Sequence, residues 1–126
     1  ENMVELCIEK GLNAKVMDIE NLEFSYNHFH GIWSAASLLH VPKNKIMGVI
    51  KRLYAIMTDG GVLYVCVKEG KGEGFIKDEI DPSTERFFVF YTMEELENIF
   101  KEKFKLIESK RDIFKNRTFL DAFFRK

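Results

Sequence analysis

The run Val62-Leu63-Tyr64-Val65-Cys66-Val67 constrains the fold more than any other part of the chain. Six apolar, aromatic or β-branched residues follow one another without polar alternation, which predicts a strand covered on both faces. Strands of that kind belong to layered α/β domains. The flanks agree. Upstream, Ile46, Ile50, Leu53, Tyr54 and Met57 recur on one helical face after Pro42, and that helix is expected to stop at Asp59-Gly60-Gly61. Earlier, Met3, Leu6 and Cys7 mark a short helix closed by Gly11. A β-run, Ala14 to Met17, and a polar connection precede a second apolar strand, Phe29 to Trp33. Downstream, Lys68 to Tyr91 reads as a long irregular stretch. Thr92 with Glu95 forms a capping-box pattern opening a helix with Met93, Leu96, Ile99 and Phe100 inward. Lys105 to Phe114 and Thr118 to Phe124, joined by Lys115-Asn116-Arg117, read as a hairpin. The order implies one α/β domain over 1–126, with a mainly parallel sheet and an antiparallel C-terminal hairpin.

Composition removes several classes of function. The 126 residues carry 19 Lys+Arg against 20 Asp+Glu, so no basic excess offers itself to nucleic-acid phosphates. The longest strongly apolar run, Val62 to Val67, is too short to cross a bilayer, and "ENMVELCIEKG" reads as a helix rather than as a leader. No nucleic-acid or membrane partner is expected. Cys7 and Cys66 have no metal-ligand spacing and no pairing with His40 as nucleophile and base, so two free buried thiols in a reducing, cytoplasmic setting are expected. No metal site and no catalytic side chain stands out.

Ligands of open α/β sheets sit beyond the carboxyl ends of the strands. The first such end is Asp18-Ile19. Its carboxylate and following N–H suit the edge of an adenine ring, and they suit a turn cap equally well. The second is "FHGIWSAASLLHVP", Phe29 to Pro42, where a strand drops into Ser34-Ala35-Ala36-Ser37. Small side chains there admit a ligand close to the backbone, or a helix packed close. His40 is either a proton shuttle or a residue closing the next turn. The third, Lys68 to Gly74, contains G-x-G-x-G, but no helix follows to bind a phosphate. A dinucleotide-type oxidoreductase is therefore rejected in favour of a mobile loop, which Arg86 and Tyr91 either anchor or present to a ligand. Phe75, Phe87, Phe88 and Phe90 either line an apolar pocket or pack the loop onto the core.

Taken together, these segments resemble the class I S-adenosylmethionine-dependent methyltransferases, above all the small-molecule group with the type 11, type 12 and tellurite-resistance-like domains. "ENMVELCIEKGLNAKVMDIENLEF" is similar to that family's second helix, third strand and following acid. "FHGIWSAASLLHVP" is similar to its fourth strand, and "IKRLYAIMTDGGVLYVCVKEGKGEG" to the helix, "L-x-P-G-G-x-L" turn and fifth strand. "RFFVFYTMEELENIF" and the hairpin resemble its C-terminal end.

The resemblance implies a Rossmann-like methyltransferase sheet, S-adenosylmethionine as cofactor and a small-molecule acceptor. It places Asp18, Ile19, Ser34, Ala35 and Leu39 on the cofactor, and His40, Lys68, Arg86 and Tyr91 on the substrate side. Direct displacement at a sulfonium needs alignment more than acid–base groups. The family's acid-x-Gly-x-Gly-x-Gly loop is missing, as is the acid that holds the ribose; His30 and Asp59 replace a common Asp and Pro. The expectation is an N-terminally incomplete domain, inactive by itself, with self-association through exposed strand edges as one way to cover them. The alternative is a non-catalytic binding or oligomerisation module on the same fold.

Overall fold

The computed structural model describes residues 2–77 and 83–126. Its centre is a four-stranded sheet in the order β1-β2-β6-β5, from β1 (Phe29–Ala35), β2 (Met57–Lys68), β5 (Lys105–Phe114) and β6 (Arg117–Arg125). β1 and β2 run parallel; β2 with β6 and β6 with β5 run antiparallel. The α/β class is as expected, and the sheet is mixed.

Helix α2 (Ile46–Ile56) bridges the parallel pair. Ile46, Val49, Ile50, Leu53 and Ile56 are buried, the period expected of a helix lying on a sheet. The helix ends at Ile56, and β2 already begins at Met57, earlier than Asp59-Gly60-Gly61 suggests. Those glycines serve the close passage past β1. Gly60 has φ 77°, and a Cβ on Gly61 would lie 2.9 Å from the Thr58 oxygen and 3.1 Å from that of His30. Helix α3 (Met93–Phe100) starts at the expected capping box. Thr92 Oγ1 accepts from the Glu95 N–H at 3.1 Å, and Glu95 Oε2 accepts from the Thr92 N–H at 3.0 Å. That bond, then Lys43, holds the Glu95 carboxyl below its ordinary range. Phe100 stacks on Phe124 with centroids 4.4 Å apart, fastening α3 to β6.

Leu63, Val65 and Val67 of β2 and Leu120, Ala122 and Phe124 of β6 form the buried face under these helices. The opposite face corrects the expectation of a strand covered on both sides. Trp33, Tyr64 and Phe123 form a row across three strands, with centroids 3.8 and 5.0 Å apart, and Trp33 is 69% exposed. The apolar residues on this side cover one another across the ladder, so the run lacks polar alternation without a second layer. Tyr64 donates to Asp121 Oδ1 at 2.6 Å, and burial with that bond raises its hydroxyl well above its usual value. Both cysteines are free but half-buried rather than buried. Burial, then Asp121, pushes the Cys66 thiol up to about 11.

Three other segments differ from the reading of the sequence. Ala14–Met17 forms no strand: an extended segment becomes one only by pairing, no ladder partner lies beside it among the described residues, and Val16 is 67% exposed. Helix α1 (Asn2–Glu9) forms where Met3, Leu6 and Cys7 predict it, yet buries no residue. The stretch after Lys68 is not an irregular loop. β3 (Glu73–Lys77) and β4 (Glu85–Val89) pair antiparallel in a second, two-stranded sheet, with Phe75 edge-on to Phe87. Residues 78–82 of that stretch lie outside the described residues. The C-terminal hairpin forms as predicted, with Lys115 and Asn116 at φ 49° and 60°, the conformation of a two-residue turn matched to strand twist.

Two outcomes follow. Thr92→Ala removes one capping bond and is expected to lower stability by about 1 kcal/mol in urea unfolding, a cost that a helix held by Phe100 packing alone would not show. In a Cys7→Ser background, Cys66 is expected to react slowly with a disulfide reagent at neutral pH, accelerating about tenfold per pH unit toward pH ~11; a rate already level at pH ~8 contradicts the raised thiol.

Candidate functional site

The end of β1 departs from regular geometry where the side chains become small. Ala36 sits at φ 52°, a left-handed conformation that costs an L-residue on the order of 1 kcal/mol, while its N–H donates to the Cys66 carbonyl at 3.0 Å. The turn is closed by the hydroxyls of Ser34 and Ser37, 2.7 Å apart, with Ser34 buried and Ala35 exposed. One turn of 3-10 helix, Leu38–His40, follows and buries Leu38 and Leu39. The smallness of this stretch therefore has two parts. Ser34 is spent on internal bonding, and Ala35 and Ala36 hold backbone open at the strand's carboxyl end.

Beside this turn lies a cavity of about 640 Å³. Ala36, Leu39 and His40 form the wall nearest the strand end, Phe88, Phe90 and Phe119 supply an aromatic surface, and Lys68, Lys77, Arg86 and Arg117 bring cations. The β3–β4 hairpin is fixed against the turn by His40, whose Nδ1 lies 2.7 Å from the Phe87 carbonyl and whose ring lies 4.8 Å from that of Phe88. A carbonyl only accepts, so Nδ1 carries a proton and donates this bond. Lys68 Nζ sits 3.9 Å from the Phe88 ring centroid.

The residues singled out in the sequence divide three ways. Leu39, His40, Lys68 and Arg86 share the cavity, and Ser34 and Ala35 stand at the strand end leading to it. Asp18 and Ile19 lie elsewhere: Asp18 Oδ1 accepts from the Glu20 N–H at 2.9 Å, the turn-closing geometry, and Ile19 packs against the core. Tyr91 is in the core, 2% exposed, with Lys43 Nζ 5.1 Å from its ring. Its hydroxyl has no partner among the described residues, and burial pushes it up to about 12. The sequence reading missed Lys77, Arg117 and Phe119, which reach the cavity only because β3 and β6 carry them there. Among the described residues, no three His, Cys, Asp or Glu side chains cluster to hold a metal, and no helix is long and apolar enough to cross a membrane.

The fold is similar to that of solved S-adenosylmethionine-dependent methyltransferases. A methyltransferase from Methanosarcina mazei superposes with TM-score 0.78 at 17% identity, over 89% of this chain and 66% of that one. The 1,6-didemethyltoxoflavin-N1-methyltransferase of Burkholderia thailandensis, solved with its substrate and S-adenosylhomocysteine, gives 0.78 at 18%, over 98% and 56%. The [4+2]-cyclase SpnF gives 0.66 at 16%, over 98% and 61%. The chain thus spans about two thirds or less of these proteins, and identities this low establish the fold alone. No protein-family model matches the sequence, and no curated protein sequence does.

Ala36→Gly is expected to raise stability by up to ~1 kcal/mol in urea unfolding, because glycine occupies the left-handed region freely. Ala36→Val is expected to lower it. Equal stability of all three proteins would show that the turn exerts no backbone constraint.

Proposed function

We propose that this chain is part of an S-adenosylmethionine-dependent methyltransferase acting on a small molecule. The observation that carries the reading is the strand-end turn Ser34–Leu39 opening onto the cavity, on a fold shared with enzymes of that activity. The residues present fit the cofactor in part. Ala35 and Ala36 leave room along the backbone for its methionine portion, and Leu39 offers an apolar contact. Asp18 accepts its turn bond on Oδ1 and keeps Oδ2 as an acceptor for an adenine amino group, with Ile19 next to it. When bound, S-adenosylmethionine supplies an electrophilic methyl group whose bonding pair stays on sulfur. The chain's own part is to hold an acceptor in line and exclude water; the Nε2 of His40, when the ring is neutral, is available to take a proton from an O–H or N–H acceptor. The proposal includes weak cofactor binding and no turnover by residues 1–126 alone, since they contain no acid-x-Gly-x-Gly-x-Gly loop.

A second reading, a non-catalytic binding or oligomerisation module, is favoured by the Trp33–Tyr64–Phe123 row and by β1 standing at the sheet edge, which invite a second copy through the exposed strand. SpnF indicates that this fold also serves chemistry other than methyl transfer.

The test is amide chemical-shift mapping with S-adenosylhomocysteine. Millimolar ligand is expected to shift Ala35, Ala36 and Leu39 with a dissociation constant weaker than about 100 µM, and Ala35→Trp, at an exposed position, to abolish the shifts with the fold intact. No shift at the turn overturns the methyltransferase reading; micromolar affinity overturns the weak-binding part. Sedimentation as a dimer, lost in Trp33→Lys, together with no shift at the turn would favour the second reading.

A further inference from the structure

We propose that His40 is a positioning residue that couples the strand-end turn to the β3–β4 hairpin, so that a ligand touching either wall of the cavity is felt at the other. The inference goes beyond the methyltransferase reading, because the coupling holds whichever molecule the cavity takes. The hairpin needs support from outside itself. A two-stranded sheet is marginal in water alone, and β3 is exposed save at Gly74. β4 is seated by the buried Val89, with Phe87 and Phe88 half-buried. Two hydrogen bonds reach this hairpin from the segment that follows the turn. His40 Nδ1 donates to the Phe87 carbonyl at 2.7 Å, and Glu73 Oε2 accepts from the Lys43 N–H at 2.8 Å. The first is half-buried and backed by the contact of the His40 and Phe88 rings; the second is exposed. Water competes for the exposed bond, so the shielded one is the stiffer link.

His40 moves with the turn. Its own N–H donates to the Ser37 carbonyl at 3.1 Å and the Val41 N–H to that of Leu38 at 3.0 Å, while Leu38 and Leu39 are buried. The segment from Ala36 to Val41 is therefore one stiff piece. Ala36, in the left-handed region, stands at its start, and the imidazole near its end grips the hairpin. Ala36, Leu39 and His40 line the cavity from the strand end, and Phe88 and Phe90 line it from β4 and the residue after it. The bond between His40 and Phe87 thus fixes how these two walls stand to each other.

The test is amide hydrogen exchange on the chain as it stands, in a cycle that crosses the turn with position 40. Ala36→Val strains the turn, and Ser37→Ala removes the bond to Ser34 without backbone strain, a second disturbance should the first unfold the chain. With His40 in place, each is expected to speed exchange in the β3–β4 ladder about fivefold, the scale of one hydrogen bond, beyond any change at Val65 and Ala122, which report global opening. In His40→Leu, which fills the space without a donor, that excess is expected to fall below about twofold. His40→Asn, whose side-chain N–H takes the place of Nδ1–H, is expected to restore it. A hairpin held merely by packing gives the same excess with His, Leu and Asn. That result, no excess with His40 in place, or no restoration by Asn would each overturn the inference. The cycle needs no ligand, so the response of the Ala35–Leu39 turn to S-adenosylhomocysteine decides the methyltransferase reading separately.

Discussion

Strand β2 is the constraint on which the remaining structure depends. It pairs with β1 on one side and β6 on the other, and its Leu63, Val65 and Val67 are wholly buried under the helices. Parallel pairing with β1 demands a crossover, which α2 supplies, and the crossover in turn demands the tight passage at Gly60 and Gly61. Antiparallel pairing with β6 brings Thr118 and Phe119 level with the far end of β2, next to Lys68. The cavity is therefore a consequence of β2's register. Its walls are the places where β1, β2 and β6 stop, closed over by a hairpin that β2 itself leads into.

Asymmetry of burial shows what this arrangement leaves open. One face of the sheet is built like a domain interior, with Phe100, Phe104 and Phe124 packed edge to face or stacked. The other presents Trp33 beside Tyr64 and Phe123, stabilised by stacking within the sheet plane rather than by a covering layer. Area burial contributes about 25 cal/mol per Å² of apolar surface, so an exposed indole is a sizeable reserve for association. Helix α1 has no fully buried residue, with Cys7 only half-buried.

Local rules were legible where the local sequence carries a complete physical instruction. Thr92 and Glu95 satisfy each other's orphan groups regardless of context, and the Lys115-Asn116 turn needs only two residues able to adopt positive φ. Instructions that require a partner were not legible. Ala14–Met17 has the composition of a strand and no neighbour to make it one. The β3–β4 hairpin was hidden because Gly70, Gly72 and Gly74 read as a loop, while its support comes from Phe75 against Phe87 and from His40 holding the Phe87 carbonyl across 47 positions. Of the residues singled out in the sequence, Leu39, His40 and Lys68 follow strand ends and line the cavity, as does Arg86, which the sequence offered only as part of a loop. Lys77, Arg117 and Phe119 reach it only through tertiary pairing.

The turn at the end of β1 bears on alignment as well as on room. On the proposed reading the cofactor lies along the open backbone of Ala35 and Ala36, beside the Ser34–Ser37 pair, and the acceptor enters from the part of the cavity that His40 and the phenylalanines border. The small residues at the end of β1 then leave two ligands room to approach one point, on a turn that Ala36 holds in the left-handed region. On that same reading, methyl transfer asks for alignment and dryness rather than for a catalytic triad, and a strand end of alanine and serine beside Phe88, Phe90 and Phe119 suits both requirements.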